Sequence, residues 1–128
     1  MPARPPELTP AEWEIMRVVW ERGEAVVREV YEALAPSQGW AQTTVRTMME
    51  RLAHKGWLQQ KKVGPVYLYK PAVGRGCAVR RTIRDLAERA VGGDLADLVA
   101  YAVGEGDVSD EELARLEELI RERREKQS

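Results

Sequence analysis

The stretch from residue 40 to residue 71 constrains the fold most strongly, because a helical pattern runs directly into a hairpin pattern. Apolar residues recur at helical spacing over residues 42–55 and predict an amphipathic helix. Residues 58–63 and 66–70 then flank Gly64-Pro65, which predicts two strands joined by a tight turn. This stretch therefore predicts an exposed helix next to a two-stranded ribbon.

The same stretch is basic, although the whole chain has a formal net charge of −1. Its only acid is Glu50, and its bases are Arg46, Arg51, Lys55, Lys61, Lys62 and Lys70. Residues 85–112 reverse this balance, with nine acids and one base, Arg89. Such a dipolar chain is suited to presenting one end to a polyanion while the other end stays away from it.

Two further helices are predicted before this stretch. Thr9-Pro10-Ala11-Glu12 forms a capping box with proline in the first turn, and opens a helix that runs to about Arg22. A second apolar stripe predicts a helix over residues 26–34, which we expect residues 36–39 to break. Three helices followed by a basic hairpin have the order of a winged helix-turn-helix.

After Pro71 the pattern becomes wholly helical. We expect residues 73–76 to form a linker, followed by helices over about 77–91 and 95–103 and by a last helix capped by Ser109. The polar stretch 121–128 is expected to fray. The apolar stripes of these helices are too small for an independent core, which indicates burial against a second copy of the chain.

The predicted fold class is therefore mainly α with a small β-hairpin wing (α+β). We expect a winged-helix DNA-binding domain over residues 1–72 and a helical dimerisation domain over residues 73–128.

Duplex DNA is the partner that this arrangement favours, because an α-helix fits the major groove and short polar or arginine side chains can reach base edges there. The candidate base-reading residues are Gln42, Thr43, Thr44, Arg46 and Thr47. The candidate phosphate contacts, which would position the protein without specifying sequence, are Arg51, Lys55, Lys61 and Lys62.

Other interpretations are open at this point. A polar helix face and a basic hairpin can simply be solvated surfaces, and the hairpin could instead dock an acidic partner protein. An enzyme is disfavoured, because no constellation of histidine, cysteine and carboxylate residues converges in the pattern.

Metal and cofactor sites are not predicted. His54 and Cys77 are the only histidine and cysteine, whereas a site of nitrogen and sulfur ligands needs three or four. Cys77 lies among arginines that would lower its thiol pKa, so a redox-sensitive thiol is an alternative to an inert one. A single cysteine, no apolar signal segment and no run of about 20 apolar residues lead us to expect a cytoplasmic protein that does not insert into membranes.

Taken together, these residues resemble the BlaI/MecI family of penicillinase and methicillin-resistance repressors. The likeness covers most of residues 8–120. Its matching segments are residues 8–16, 19–20, 40–47, 51–52, 55–58, 67–71, 92–93 and 107–113.

The resemblance implies a cytosolic bacterial repressor whose winged helix binds a dyad-symmetric operator, often with TACA/TGTA half-sites, and whose carboxy-terminal helices form a homodimer. It places base reading on Thr43, Thr44, Arg46 and Thr47 and adds Tyr67 to the wing contacts. The dimer contacts that it implies are Ile83, Leu86, Leu95, Leu98, Val99, Leu113, Leu116 and Ile120.

The chain departs from the family pattern in three places. The better-known members are cleaved at an Asn-Phe bond in the penultimate helix, where this chain has Tyr101-Ala102, so a membrane sensor protease is left open as a partner. The Cys-x-Cys tail of the copper-responsive relatives is missing from the sequence. Pro65 stands at the wing tip where many relatives carry a base.

Overall fold

The computed structural model describes residues 5–104 and 106–127 of the chain. Helices α1 to α3 and strands β1 to β3 precede three further helices, α4 to α6. Their bounds are α1 Pro10–Arg22, β1 Ala25–Val26, α2 Val27–Gln38, α3 Gln42–Lys55, β2 Leu58–Val63, β3 Val66–Pro71, α4 Arg75–Val91, α5 Leu95–Gly104 and α6 Asp110–Gln127. The predicted mainly helical fold with a β-hairpin wing is confirmed.

Helix α1 begins with the predicted capping box. The Thr9 amide donates to Glu12 Oε1 at 2.9 Å, and the Glu12 amide donates to Thr9 Oγ1 at 3.2 Å. Together these bonds satisfy two amide groups that no helical carbonyl can reach. The same device opens α6, where Ser109 and Glu112 bond each other reciprocally at 3.0 and 3.1 Å.

Helix α3 ends where the chain must reverse sharply into the wing. Gly56 has φ of 97°, in the left-handed region that favours glycine, and the Trp57 amide donates to the Leu52 carbonyl at 2.9 Å. Only two residues, Gly56 and Trp57, therefore separate strand β2 from the helix.

The sheet has three antiparallel strands in the order β1-β3-β2. Val63 pairs with Val66 around the Gly64-Pro65 turn, as the sequence predicts. Strand β1, at Ala25–Val26, pairs with Tyr69 and Leu68 of β3 and was not predicted. Two residues are too few to display an alternating pattern.

Three boundaries differ from the predictions. Helix α2 continues through Pro36, because its last turn is closed by the Gly39 amide on the Ala35 carbonyl at 3.1 Å. The expected linker at residues 73–76 is partly helical, since α4 begins at Arg75.

The third difference lies at the carboxyl end. Helix α6 runs through Gln127, so the fraying predicted from residue 121 is wrong for the described residues, and Ser128 lies outside them. Arg121 pairs there with Glu118 and with Glu125, the latter at 2.9 Å, and such pairs three or four residues apart support an exposed helix.

The main core lies among α1, α2, α3 and the sheet. Its members are Leu8, Ile15, Met16, Val19, Ala25, Val30, Leu34, Val45, Met49, Leu52, Trp57, Leu58, Tyr69 and Ala78. Val45, Met49 and Leu52 are the buried residues of α3, while Met48 is half-buried at its edge. The predicted apolar stripe of α3 is therefore confirmed.

The structure divides into two compact units, and the division falls inside α4 after Arg81. The first unit contains the winged helix and the first turns of α4. The second contains the rest of α4 with α5 and α6. α5 and α6 contain no buried residue among those described.

Glu12 carries a buried charge that is matched by a base. Glu12 is only 6% exposed, and Lys55 Nζ lies 2.7 Å from its Oε2 atom. Burial alone would raise the pKa of Glu12, but the hydrogen bonds and charge of Lys55, together with the Thr9 amide, outweigh it and leave the pKa below its ordinary 4.5. The pair joins the start of α1 to the end of α3.

We expect Met49→Ala to lower the free energy of unfolding by about 2–5 kcal/mol, because it leaves a cavity in the core. Met48→Ala, at the half-buried edge of the same helix, removes the same atoms and should cost clearly less. Urea denaturation of both variants measures the difference. Equal losses would contradict the orientation of α3.

We expect the Glu12–Lys55 pair to contribute stability that is fully present above pH 4.5 and is lost as the pH falls through the lowered pKa of folded Glu12. Glu12→Gln removes this titration, so its unfolding free energy should fall less steeply on acidification below pH 4.5 than that of the wild type. The control is Glu14→Gln, which removes the carboxylate of another ion pair on the same helix, Glu14 with Arg17. If the free energy of unfolding of Glu12→Gln and of wild type fell equally below pH 4.5, the pairing would be refuted.

Candidate nucleic-acid interface

The outward side of α3 is polar because its inward side is fixed in the core. With Val45, Met49 and Leu52 buried, the exposed residues of the helix include Thr43, Thr44, Arg46, Thr47, Glu50 and Arg51. Gln42 is half-buried at the amino end. The Thr47 hydroxyl donates to the Thr43 carbonyl at 3.0 Å, which orients its methyl group and oxygen on the helix surface.

The residues on this exposed side line two different surface depressions. Gln42, Arg46 and Glu50, spaced four residues apart, line a cleft of about 330 Å³ that faces the wing. Thr43, Thr44, Thr47 and Arg51 line a shallower groove on the other side of the helix, together with half-buried Met48. The structure thus brings Gln42 and Arg46 together on one side and the three threonines together on the other.

The cleft between α3 and the wing also contains residues that the sequence did not single out. Arg28, in the first turn of α2, lines it, as do Val26, Val27, Val66 and Tyr69. Pro65 and Tyr67, which the sequence analysis named, line it as well. Strand β1 holds the start of α2 at this place by pairing with β3. The sequence does not predict this strand, so it contains no signal that Arg28 would line the same cleft as α3.

The wing presents its two lysines on opposite faces, because side chains alternate along a strand. Lys62 lies opposite Tyr67, and Lys61 lies opposite Leu68. Tyr67 shares its face with Tyr69, which is 1% exposed and accepts a hydrogen bond from Gln60 Nε2 at 3.1 Å. Lys62 and Tyr67 therefore continue the face that packs on the core, and Lys61 lies on the reverse face.

Tyr69 is also one of the residues that line the cleft. Burial, and after it the carboxylate of Glu50, raises the pKa of the Tyr69 hydroxyl. The phenol is thus neutral throughout the physiological range, and the charges that line the cleft come from Arg28, Arg46 and Glu50.

Lys55 differs from the other predicted phosphate contacts. Its ammonium is already paired with Glu12, and its side chain is 34% exposed. Lys61, Lys62 and Arg51 are exposed. Free, exposed bases can neutralise phosphate without breaking an existing pair, so Lys55 is the weakest of the predicted contacts.

The wing tip is apolar. Val63, Val66 and Tyr67 are between 45% and 48% exposed around Gly64-Pro65. With Pro65 where a base was expected from the resemblance, the tip is uncharged, and the two lysines lie before it on β2.

The second unit carries apolar residues on its surface. Ile83, Leu86, Leu95, Val99 and Ile120 of the predicted dimer set are between 39% and 55% exposed, and Leu98, Leu113 and Leu116 are half-buried. Contiguous patches of exposed apolar side chains are typical of interaction surfaces, so the predicted dimer contacts stay a prediction that this exposure allows. Tyr101, Val103 and Leu119 are exposed as well and were not predicted.

The remaining candidate sites lie in the helices after the wing. Cys77 is exposed in the first turns of α4, and Tyr101-Ala102 is an exposed pair within α5. Among residues 5–104 and 106–127, no group of three or more histidine, cysteine or acidic residues is placed to hold a metal ion. In the same ranges no helix has the length and apolar character required to cross a membrane.

Comparison with known proteins identifies the family. The family model described as penicillinase repressor matches residues 8–122. The penicillinase repressor of Bacillus licheniformis is 28% identical over 117 residues, which cover 91% of each chain. The methicillin resistance regulatory protein MecI of Staphylococcus aureus is 26% identical over 114 residues, covering 89% of this chain and 93% of MecI.

A solved structure shares the fold of part of this chain. The monomeric form of B. licheniformis BlaI, determined in complex with the blaP half-operator, matches with a TM-score of 0.50 and 33% identity. The match covers 57% of this chain and 89% of that one. The polar, basic side of a winged helix, the helices with apolar stripes that follow it and the match over residues 8–122 agree, and the chain belongs to the penicillinase repressor family.

Proposed function

We propose that the protein is a transcriptional repressor that occupies a dyad-symmetric operator as a homodimer. The observation that carries this proposal is the exposed polar side of α3, set beside a basic wing on the surface of the first unit. The half-operator complex of its relative BlaI supports the same use of this surface. Repression then follows from occupancy of the promoter, and we infer that it takes place in the cytoplasm without any catalytic activity.

Within this proposal the two sides of α3 have separate tasks. Arg46 is long enough to make two hydrogen bonds to a guanine edge, and Gln42 beside it can pair with adenine. Thr43, Thr44 and Thr47 offer hydroxyl and methyl groups to bases on the other side of the helix. Arg51, Lys61, Lys62 and Tyr67 contact phosphates and set the register of the helix in the groove.

Dimerisation belongs to the region after residue 72, whose apolar surface needs a partner. Two winged helices joined through that surface bind adjacent half-sites, so the second contact becomes intramolecular and the overall affinity rises. The acidic residues between 85 and 112 keep this region away from phosphate.

The alternative of a module that docks an acidic protein is not favoured by the family, which is described as penicillinase repressor and includes the penicillinase repressor of B. licheniformis. Binding to random duplex DNA in moderate salt separates the two functions. A protein-docking module would ignore such DNA, while a repressor binds it weakly and in a salt-dependent way.

We expect Arg46→Ala to weaken binding to the specific operator by about 1–3 kcal/mol, with little effect on random duplex DNA, because it removes a base contact. Lys62→Ala should weaken binding to all sequences about equally and reduce the slope of log affinity against log salt by about 1. Gel-shift titrations over a series of salt concentrations measure both effects.

Lys55→Ala is the matched control for Lys62→Ala, because it removes the same charge from a residue already paired with Glu12. Its salt slope should change less than that of Lys62→Ala. If Arg46→Ala and Lys62→Ala both bind as the wild type does, the assignment of α3 and the wing is wrong.

We expect Leu86→Glu to shift the protein from dimer to monomer and to weaken operator binding while leaving half-site binding unchanged. The new carboxylate would have to be buried without a partner in the apolar dimer surface. Arg115→Glu, which adds the same acid at an exposed position of α6, should remain dimeric. Sedimentation velocity at micromolar concentration distinguishes these outcomes, and a dimeric Leu86→Glu would exclude this surface.

A further inference from the structure

The cleft between α3 and the wing holds one carboxylate beside its arginines. Glu50 lines this cleft together with Arg46, one helical turn before it on α3, and with Arg28 of α2. All three belong to the first unit, and Glu50 is the only acid between residues 40 and 71. A surface used only to hold phosphate would gain nothing from this carboxylate, because it repels the polyanion.

The core fixes the side of α3 on which Glu50 lies. Met49 next to it is fully buried, whereas Glu50 and Arg46 are exposed. Burial raises the pKa of the Tyr69 hydroxyl most, the Glu50 carboxylate raises it further, and the Arg46 guanidinium acts more weakly in the opposite direction. The carboxylate and the guanidinium therefore lie near the same buried phenol in the cleft.

The Glu50 carboxylate is not engaged in an ion pair within residues 5–104 and 106–127, and neither is Arg46. Other charges of the first unit are already matched: Arg28 pairs with Glu32 at 2.9 Å, and Lys55 pairs with Glu12 at 2.7 Å. Glu50 thus presents an exposed, ionised acceptor to whatever enters the cleft.

An ionised carboxylate can only accept hydrogen bonds, and few groups in the major groove can donate to it. Guanine presents the acceptors N7 and O6, and thymine presents the acceptor O4 and a methyl group. Adenine has an amino group, but its N7 acceptor lies beside it. Cytosine presents its N4 amino group without a neighbouring acceptor, so it is the base that a carboxylate matches best.

We propose that Glu50 is a specificity-determining residue, which selects a cytosine in each operator half-site and weakens binding to other duplexes. This inference rests on the proposed function. At the selected cytosine the N4 amino group replaces the water that the carboxylate loses, whereas at other bases the charge faces acceptors and phosphates. A charge that weakens the wrong complexes increases discrimination as much as a contact that strengthens the right one.

The test uses the full-length chain and an operator that the wild type selects in vitro from random duplexes. Glu50→Ala removes the carboxylate, and Glu50→Gln keeps its shape without its charge. Glu21→Ala is the matched control, because it removes the same charge from an exposed position of α1 that lines neither depression beside α3. Thermal melting reports whether each variant is folded.

The first measurement is affinity for random duplex DNA over a series of salt concentrations. Glu50→Ala and Glu50→Gln should bind about threefold more tightly than wild type at low salt, because a charge that repels phosphate is gone. Glu21→Ala should change less. Unchanged affinity of both Glu50 variants would show that the carboxylate does not face the duplex, and would refute the proposal.

The second measurement replaces each base pair of the selected operator in turn. At one cytosine of each half-site, replacement should cost the wild type on the order of tenfold in affinity but Glu50→Ala less than about threefold. Glu50→Gln should shift its preference there towards adenine, to which an amide can make two hydrogen bonds.

A cytosine analogue then isolates the amino group. Replacing that cytosine by 2-pyrimidinone removes N4 alone, and should weaken binding of the wild type and Glu21→Ala much more than that of Glu50→Ala. Because the variant and the analogue form a double-mutant cycle, any general weakening of the base pair cancels.

The outcomes separate this inference from the function on which it rests. If the wild type selects an operator but Glu50→Ala gains the same factor on every duplex, Glu50 only repels DNA in general and the selection of cytosine is refuted. Equal losses of wild type and Glu50→Ala on the analogue would refute it as well. Failure of the wild type to select any duplex would refute the proposed function, and this inference with it.

Discussion

Burial of one side of α3 is the constraint on which the rest of the structure depends. Val45, Met49 and Leu52 are at most 1% exposed, and their spacing leaves the helix a single orientation. Apolar burial of this kind stabilises by about 1.5–3 kcal/mol for each side chain. Rotating the helix to bury its threonines and Arg46 would forfeit that energy and desolvate polar groups, so the exposed polar surface of α3 is a consequence of the core.

The wing and α2 complete this surface through the same core. Tyr69 is buried and shares a strand face with Lys62 and Tyr67, while β1 pairs with β3 next to the start of α2, whose Arg28 also lines the cleft. The basic face of the first unit is thus assembled from α2, α3 and the hairpin. The second unit is acidic and apolar at its surface, which suits contact with another copy of the chain and not with phosphate.

Much of this architecture could be predicted because the relevant patterns are local. The apolar period of α3, the capping boxes at Thr9 and Ser109 and the Gly64-Pro65 turn each specify their own element, and all of them are found. The candidate DNA-binding residues follow from the same period, since the residues opposite a buried stripe must be exposed.

The features that escaped prediction depend on tertiary contacts. Strand β1 exists only because β3 lies beside it, and α4 starts at Arg75 despite its glycines because Ala78 is buried in the core. Helix α2 tolerates Pro36 because only its last turn is affected. Lys55 and Glu12 are far apart in sequence, so the sequence alone gives no sign of their ion pair. Lys55 was therefore predicted to be available for phosphate.

The central claim is that two copies of α3 enter one side of the same duplex. Hydroxyl-radical footprinting of the full-length protein on its selected operator tests it most directly. The account predicts two symmetry-related protected segments on one face of the DNA, with centres separated by about 10 base pairs or a multiple of that. A single unsymmetrical segment, or no protection at low ionic strength, would contradict it.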